Sequence, residues 1–296
     1  RKVTHYGIGS GNVEGVTSNR RVVLPDGTIT YGRGSATADP ALRSLPEGII
    51  DPFLKTLSFW DGDTPLAALS AYSTHPMSYY GKGGVSADFV GMARARRQAE
   101  LPEVFQMYFT GCSGDTTAGK FNDGDPANRP VLADRIYRGM VNAWENTQRY
   151  PLEQATLRVA PLNLVPKRFG GYSETDARAT LADASVKTFT RNLAAMALSY
   201  RKRVDAGQPI DVPVVDFGKA KFLILPGESF VQYQITAQGM SPDAPVVIAG
   251  FGECAPGYIP TAIASTEGYN EESWCWVEPG AEPLITDALA LAVRGK

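Results

Sequence analysis

Pro65-Leu-Ala-Ala-Leu-Ser-Ala-Tyr-Ser-Thr-His75-Pro-Met77 is the stretch on which the fold class turns. Its apolar run reads as a mostly buried strand that stops at an imidazole, and Pro76 prevents helical continuation. A glycine-rich loop follows (Gly81, Gly83, Gly84), and Ser86-Ala-Asp88-Phe-Val-Gly91-Met-Ala-Arg94 then has the form of a helix start capped by Asp88 or Ser86. A histidine at the end of a buried strand, facing a glycine loop and a helix N-terminus, sits where α/β enzymes place ligands. His75 is one of only 2 histidines in the chain. It is either a metal ligand or catalytic base, or a histidine that simply hydrogen-bonds at a strand end.

The same alternation continues on both sides. Thr56–Trp60 and Leu66–Thr74 flank Asp61-Gly62-Asp63-Thr64-Pro65, the pattern of a β-hairpin. Val104–Phe109 reads as a strand running into Thr110-Gly-Cys-Ser-Gly114-Asp115. Asn128-Arg-Pro130 opens a helix to about Asn146, with Asn128 as cap and Pro130 in the first turn. Val131, Leu132, Ile136, Met140, Val141 and Trp144 give that helix its apolar spacing. Leu157–Val165 alternates like a strand, and 174–184 and 188–205 read as helices, the second stopped at Ala206-Gly207. Val212–Phe217 and Lys221–Leu225 form a strand pair leading through Pro226-Gly227-Glu228 to a helix ending near Gln238. Pro245–Gly250 is a short buried strand and Leu284–Val293 a closing helix. The expected fold is α/β, a mixed β-sheet core flanked by helices, in a single domain over residues 1–296.

Composition narrows the function classes. The chain is 43% hydrophobic and 20% charged, with a formal net charge of −2, and its Lys and Arg form no long basic run, which argues against a nucleic-acid partner. No apolar stretch reaches membrane-spanning length. The start at Arg1-Lys-Val-Thr-His5 carries no signal-peptide pattern and reads as the middle of a longer precursor. With 3 cysteines, Cys254 and Cys275 can pair and leave Cys112 as a buried thiol.

Three further places offer chemistry. Glu228 closes a strand beside a helix start, so it either faces a ligand or stabilises the helix dipole. Gly111-Cys-Ser-Gly114-Asp115-Thr116-Thr117-Ala-Gly119 resembles an anion or oxyanion cradle, or else is a tight turn in which Asp115 bonds to its own loop. It lacks the Gly-Lys-Ser/Thr ending of a P-loop, and Gly-x-Ser-x-Gly is broken at its last position. Asn122–Asn128 lacks calcium-loop spacing and reads as a plain turn. Tyr258 and Tyr269 lie in loops between glycines and acids, where tyrosines pack or bind a substrate carbonyl or metal. Trp274 and Trp276 read as core or rim more than as a sugar platform.

Taken in order, Asn19-Arg20-Arg21, Asp51-Pro52, Thr74-His75-Pro76, Ser86-Ala-Asp88-Phe-Val-Gly91, Gly114-Asp115, Pro226-Gly227-Glu228 and Gly257-Tyr258-Ile-Pro-Thr261 resemble the neutral/alkaline, non-lysosomal ceramidase family, particularly its shorter bacterial relatives. The resemblance implies a zinc amidohydrolase whose metal is held by two histidines, a glutamate and a tyrosine. His75 matches the second histidine, Glu228 the glutamate and Tyr258 the tyrosine, while Tyr269 matches a tyrosine that contacts the substrate carbonyl. Thr117 takes the place of the family's catalytic serine in Gly-Asp-x-Ser-Pro-Asn, next to Asp115, and the Pro-Asn is lost. His5 has the wrong local context for the first histidine, so that ligand is expected before Arg1, in an N-terminal segment or second chain completing the site. Residues 1–296 are then the C-terminal portion of a larger catalytic domain. No counterpart of the family's C-terminal immunoglobulin-like domain is expected within residues 1–296.

The resulting expectation is a zinc-dependent, secreted or periplasmic hydrolase. It cleaves an amide or related acyl bond of a small-molecule or lipid-like substrate other than ceramide, with Thr117, Asp115 and Tyr269 as catalytic residues. The alternatives are a non-catalytic binding or assembly subunit of the same fold, and a carbohydrate-active protein using its carboxylates and tryptophans.

Overall fold

A computed structural model describes residues 1–82, 84–168, 171–253, 255–269 and 272–295. Two sheets form its centre. One holds, in spatial order, the strands Phe105–Thr110, Thr64–Tyr72, Phe53–Asp61, His5–Asn12 and Gln148–Pro151, and the other Thr156–Leu162, Ile210–Asp216, Lys221–Ile224 and Val246–Ala249. The facing sides of the two sheets meet in a shared core of Tyr6, Ile8, Leu57 and Ala71 from the first and Ala220, Phe222 and Val247 from the second. Helices Asp88–Glu100 and Asn128–Glu145 cover the outer face of the first sheet. Helices Val231–Gly239 and Glu282–Arg294 cover that of the second. The layers therefore run helix, sheet, sheet, helix, a mixed α/β architecture.

Two crossovers of the same kind position the site. Strand Thr64–Tyr72 lies parallel to Phe105–Thr110, with helix Asp88–Glu100 between them in sequence. Strand Lys221–Ile224 lies parallel to Val246–Ala249, with helix Val231–Gly239 between. Parallel neighbours need such a crossover, and it leaves their C-terminal ends on one side. The ends of the two units are stitched together: Gly250 N donates to Thr110 O at 2.8 Å, and Gly114 N to Ser229 O at 3.0 Å.

The hairpin expected around Gly62 is present, antiparallel from Phe53–Asp61 to Thr64–Tyr72, with a register shift at Phe59/Trp60. Strand His5–Asn12 has no counterpart in the sequence reading. Its alternate positions are Gly7, Gly9 and Gly11, so one face of the strand carries no side chains to reveal a period of two. The glycines are there because helix Asn128–Glu145 lies directly on them. A Cβ on Gly9 would stand 1.8 Å from the Ala143 carbonyl oxygen.

Two expected caps differ. Ala127, not Asn128, precedes the second helix, and the Asn128 amide instead donates to Asp123 Oδ1 at 2.7 Å, tying down the plain turn that precedes it. At the first helix, Ser86 Oγ accepts from Asp88 N at 2.9 Å. Asp88 itself, at φ +54°, turns its carboxylate back to the loop behind His75, accepting from Ser78 Oγ at 2.5 Å and Tyr79 N at 3.0 Å. Cys275 and Cys112 are buried free thiols; Cys254, the partner the sequence offered Cys275, lies outside the described residues.

Candidate metal centre

His75 follows the strand Thr64–Tyr72 and is 7% exposed. Its Nδ1 lies 2.5 Å from Ser113 O and 3.2 Å from Thr116 O, both in the loop after the neighbouring parallel strand. Both partners are carbonyl oxygens and can only accept, so Nδ1 carries the hydrogen. The other nitrogen, Nε2, is thereby left to the opposite side, where Glu228 Oε2 stands 2.8 Å away. A bare imidazole nitrogen and a carboxylate both offer lone pairs, so contact at this distance requires a proton or a cation between them.

Glu228 and Tyr258 reach the site by a simpler route. Glu228–Ser229 and Tyr258–Ile259 form a two-residue parallel pair in which Glu228 is the register partner of Tyr258. Side chains paired in register stand on the same face. The two hydrogen-bond to each other, the Tyr258 ring stacks on that of His75 with centroids 6.3 Å apart, and the Arg20 guanidinium lies 5.9 Å from the Tyr258 centroid. Burial alone would raise the Glu228 pKa. The hydrogen bonds from His75 and Tyr258 and the charge of Arg20 outweigh it and hold the carboxyl below its ordinary value. Burial pushes the Tyr258 phenol up, and Arg20 opposes the rise without cancelling it.

Phe251 also packs on the imidazole, edge to face at 89° with centroids 5.5 Å apart, and does so from a left-handed backbone at φ +59°. Such a conformation costs a bulky residue about 1–3 kcal/mol. Its N–H donates to Gly227 O at 3.1 Å, one residue before Glu228. Strain, ring packing and backbone bonding therefore meet at the His75–Glu228 pair. Sequence reasoning gave Phe251 no role because an aromatic residue carries no signal for a positive φ. Arg20 belongs to the motif Asn19-Arg20-Arg21, whose spacing carries no sign that its charge faces Tyr258 and Glu228.

The other predicted site residues are placed differently. Asp115 is buried, accepting from Asn19 Nδ2 and from Val231 N at the start of a helix, both at 2.7 Å, and burial raises its pKa despite these bonds. The Thr117 hydroxyl donates to Gly34 O at 2.8 Å and accepts from Gly119 N at 3.2 Å. Tyr269 is buried against Phe230 and Tyr31, with its hydroxyl on Cys275. Neither Thr117 nor Tyr269 is directed at the His75–Glu228 pair. The loop 111–117 was expected to turn N–H groups inward as an oxyanion cradle. It turns carbonyls to His75 instead, while Gly111 N, Cys112 N, Gly114 N and Thr116 N bond to Tyr72 O, Gln234 Oε1, Ser229 O and Ser113 O.

A cavity of about 700 Å³ adjoins this region, lined among others by Arg21, Tyr31, Ile49, Asp115, Phe230 and Ile263. Arg21 and Glu267 close a bidentate ion pair at its wall (2.7 and 2.6 Å), and Tyr31 donates to the same carboxylate at 3.0 Å.

The donors gathered at the site are an imidazole with its far nitrogen capped, an ionised carboxylate and a phenol. These fit the open type of zinc centre, with three protein ligands and a free position. Among the described residues no group of three or more His, Cys, Asp and Glu side chains gathers; beside His75 and Glu228 the phenol oxygen of Tyr258 is the further donor. His5 does not contribute. It pairs with Trp60, which pairs with Pro65 at the far end of strand Thr64–Tyr72, so the 9-residue strand, roughly 25–30 Å at ~3.3 Å per residue, separates the two histidines.

Two solved structures share the fold. A ceramidase complexed with C2 superposes with a TM-score of 0.64 at 14% identity, over 98% of this chain and 53% of its own. The neutral ceramidase from Pseudomonas aeruginosa does so with a TM-score of 0.60 at 15% identity, over 99% of this chain and 52% of its own. No protein-family model and no curated protein matches the sequence. The chain has a ceramidase-like fold and spans about half the length of these neighbours.

Proposed function

We propose that the chain carries a zinc-dependent hydrolase site acting on an amide or related acyl bond, with His75, Glu228 and Tyr258 as the metal-holding residues. The observation that carries the reading is the 2.8 Å approach of His75 Nε2 to Glu228 Oε2, with Nδ1 fixed as a donor by two carbonyls. Zinc, when bound, supplies Lewis-acid polarisation of the carbonyl and a more acidic water.

The chain's own residues do the rest. Ser113 O and Thr116 O hold the imidazole in one tautomer. Glu228 stays ionised in a mostly buried place because His75, Tyr258 and Arg20 surround it. Tyr258 remains a neutral phenol, able to donate to an oxygen that gains negative charge, and Arg20 adds a fixed positive charge beside it. Asp115 ties the Asn19 strand and the helix at Val231 to the loop that grips His75. In the same proposal Thr117 braces that loop through Gly34 and Gly119, and Tyr269 completes the wall next to Phe230. The largely apolar cavity beside Asp115 accommodates a hydrocarbon substituent of the substrate. The likeness to ceramidases supports hydrolysis of an N-acyl bond. The replacement of Ser-Pro-Asn by Thr117-Ala-Gly speaks for a substrate other than ceramide. Export from the cytoplasm belongs to the same proposal, and no helix among the described residues is long and apolar enough to cross a membrane.

A second reading, a binding or assembly subunit without metal, has one observation in its favour: His75 Nε2 and Glu228 Oε2 stand at hydrogen-bonding distance, so a proton between them satisfies both. The carbohydrate-active alternative finds less support, since Trp276 is buried in the core and Trp274 packs on Phe189. The deciding test is release of amine from a panel of N-acyl amides of short and long acyl chain, with zinc and with chelator. Zinc-dependent turnover abolished by His75→Ala supports the hydrolase. A protein that binds substrate but no zinc, and turns nothing over, supports the binding subunit.

A further inference from the structure

Asp51 is a buried carboxylate that touches neither Glu228 nor His75, yet it collects four donors. Its Oδ1 accepts from Phe53 N at 3.1 Å, and its Oδ2 from Lys55 Nζ at 3.0 Å, Gln234 Nε2 at 2.7 Å and Gln238 Nε2 at 2.8 Å. Gln234 and Gln238 are four apart on helix Val231–Gly239 and so present their amides on one face. An ionised carboxylate only accepts, so Gln234 must turn its NH₂ to Asp51, which leaves its amide oxygen facing away. That oxygen accepts from Cys112 N at 3.0 Å.

Cys112 is the residue before Ser113, whose carbonyl receives the His75 Nδ1–H. The Cys112 carbonyl is itself held by the Ser73 hydroxyl, two residues before His75. Gly111 shows how closely the helix approaches this loop, because a Cβ there would stand 2.5 Å from Gln234 Oε1. A continuous chain of bonds thus runs from Asp51, at the foot of one strand, through a helix side chain and a loop to the imidazole.

We propose that Asp51 and Gln234 are positioning residues for His75: by fixing the direction of the Gln234 amide they hold the loop 111–113 so that Ser113 O keeps the hydrogen on Nδ1 and Nε2 toward Glu228. The proposal concerns the tautomer of His75 and stands apart from hydrolysis; only its consequence for zinc rests on the function proposed above. Neither residue is catalytic. Each acts through the loop.

The chain has only 2 histidines, so imidazole nitrogen spectra of ¹⁵N-labelled protein resolve His75 directly. Metal-free wild-type His75 is expected to carry a hydrogen on Nδ1, whether or not a proton also bridges Nε2 and Glu228. Gln234→Met removes the acceptor for Cys112 N at similar volume, and the Nε2–H form should then grow at least tenfold. Gln238→Ala removes one donor from Asp51 without touching the loop and should leave the spectrum unchanged. Should Gln234→Met not fold, Asp51→Asn, which can present its own NH₂ to Gln234 and let that amide reverse, is expected to give the same shift. Orienting groups behind a metal ligand typically change metal affinity roughly 10–100-fold, so zinc should bind that much more weakly to Gln234→Met. A wild-type His75 in the Nε2–H form, or a folded Gln234→Met with an unchanged His75 spectrum, would overturn the proposal. Zinc that fails to bind wild type while the tautomer shifts as expected would overturn the proposed metal centre and not this relay.

Discussion

His75 Nε2 and Glu228 Oε2 stand 2.8 Å apart across 153 positions of sequence. Each closes the first strand of its own parallel crossover, one in each sheet, and the two sheets are joined at these ends by backbone bonds between Gly250 and Thr110 and between Gly114 and Ser229. The meeting of the pair is therefore a property of the whole α/β frame and not of any local segment.

The chemistry of that contact separates charge from hydrogen bonding. Glu228→Gln can turn an N–H toward the Nε2 lone pair and keep a neutral bond, so its unfolding free energy without metal should stay within about 1 kcal/mol of wild type. Glu228→Ala leaves the buried nitrogen without a partner and should lose about 1–3 kcal/mol. Urea unfolding of both variants checks this, and equal losses would mean that the carboxylate's charge is what stabilises the pair.

Acid should weaken the fold. Glu228 and Asp51 both have pKa values below the ordinary carboxylate range: burial raises each, but His75, Tyr258 and Arg20 at the first, and Lys55, Gln238 and Gln234 at the second, more than offset it. A carboxyl depressed in the folded state contributes stability that is present above its unfolded pKa, about 4, and is lost as pH falls through the folded value. Asp115, raised by burial, acts with the opposite sign and favours the fold at low pH. Asp216 and Glu267 are depressed as well, so the urea midpoint should fall as pH drops below about 5, and Asp51→Asn should flatten that fall. An unchanged slope in the variant would remove Asp51 from the explanation.

Strand His5–Asn12 tolerates no side chain beneath helix Asn128–Glu145. Gly9→Ala puts a methyl group into the Ala143 carbonyl, a backbone atom that cannot rotate away, and should destabilise by about 2 kcal/mol or more. Thermal unfolding measures it, and a neutral result would mean that the helix sits further from the strand.

Thr117 should behave as a brace. Thr117→Val removes the donor to Gly34 O and the acceptor for Gly119 N, with an expected loss of about 1–3 kcal/mol, and Thr117→Ser should recover most of it. A Thr117→Val variant with wild-type stability and lost turnover would instead make the hydroxyl a reacting group.

Much of this frame was legible in the residues. The hairpin around Gly62, the strand before Glu228 and the helices after His75 and Glu228 announced themselves through apolar runs, turns and glycines. Strand His5–Asn12 did not, because its face beneath the helix is made of glycine and shows that helix's proximity only in three dimensions. At the site, the strand-end placement of His75 and Glu228 pointed to a common pocket, while the in-register pairing of Glu228 with Tyr258 came from a two-residue strand too short to read. Thr117 and Tyr269 occupy plausible positions in sequence, but the direction of their hydroxyls is set by Gly34, far away along the chain, and by Cys275, beyond the short helix 272–274. Asp51 stands out in the sequence only as half of Asp51-Pro52 and Gln234 not at all, because a buried carboxylate and a helix glutamine acquire meaning only through the loop they share.

Zinc titrated into metal-free protein, followed calorimetrically beside His75→Ala, bears on all of this at once. We expect one equivalent to bind wild type with release of protons, and affinity to fall by at least roughly 10²-fold in His75→Ala, which leaves too few donors for the site. Zinc that does not bind wild type, or that binds His75→Ala equally well, would contradict a metal centre at His75, Glu228 and Tyr258.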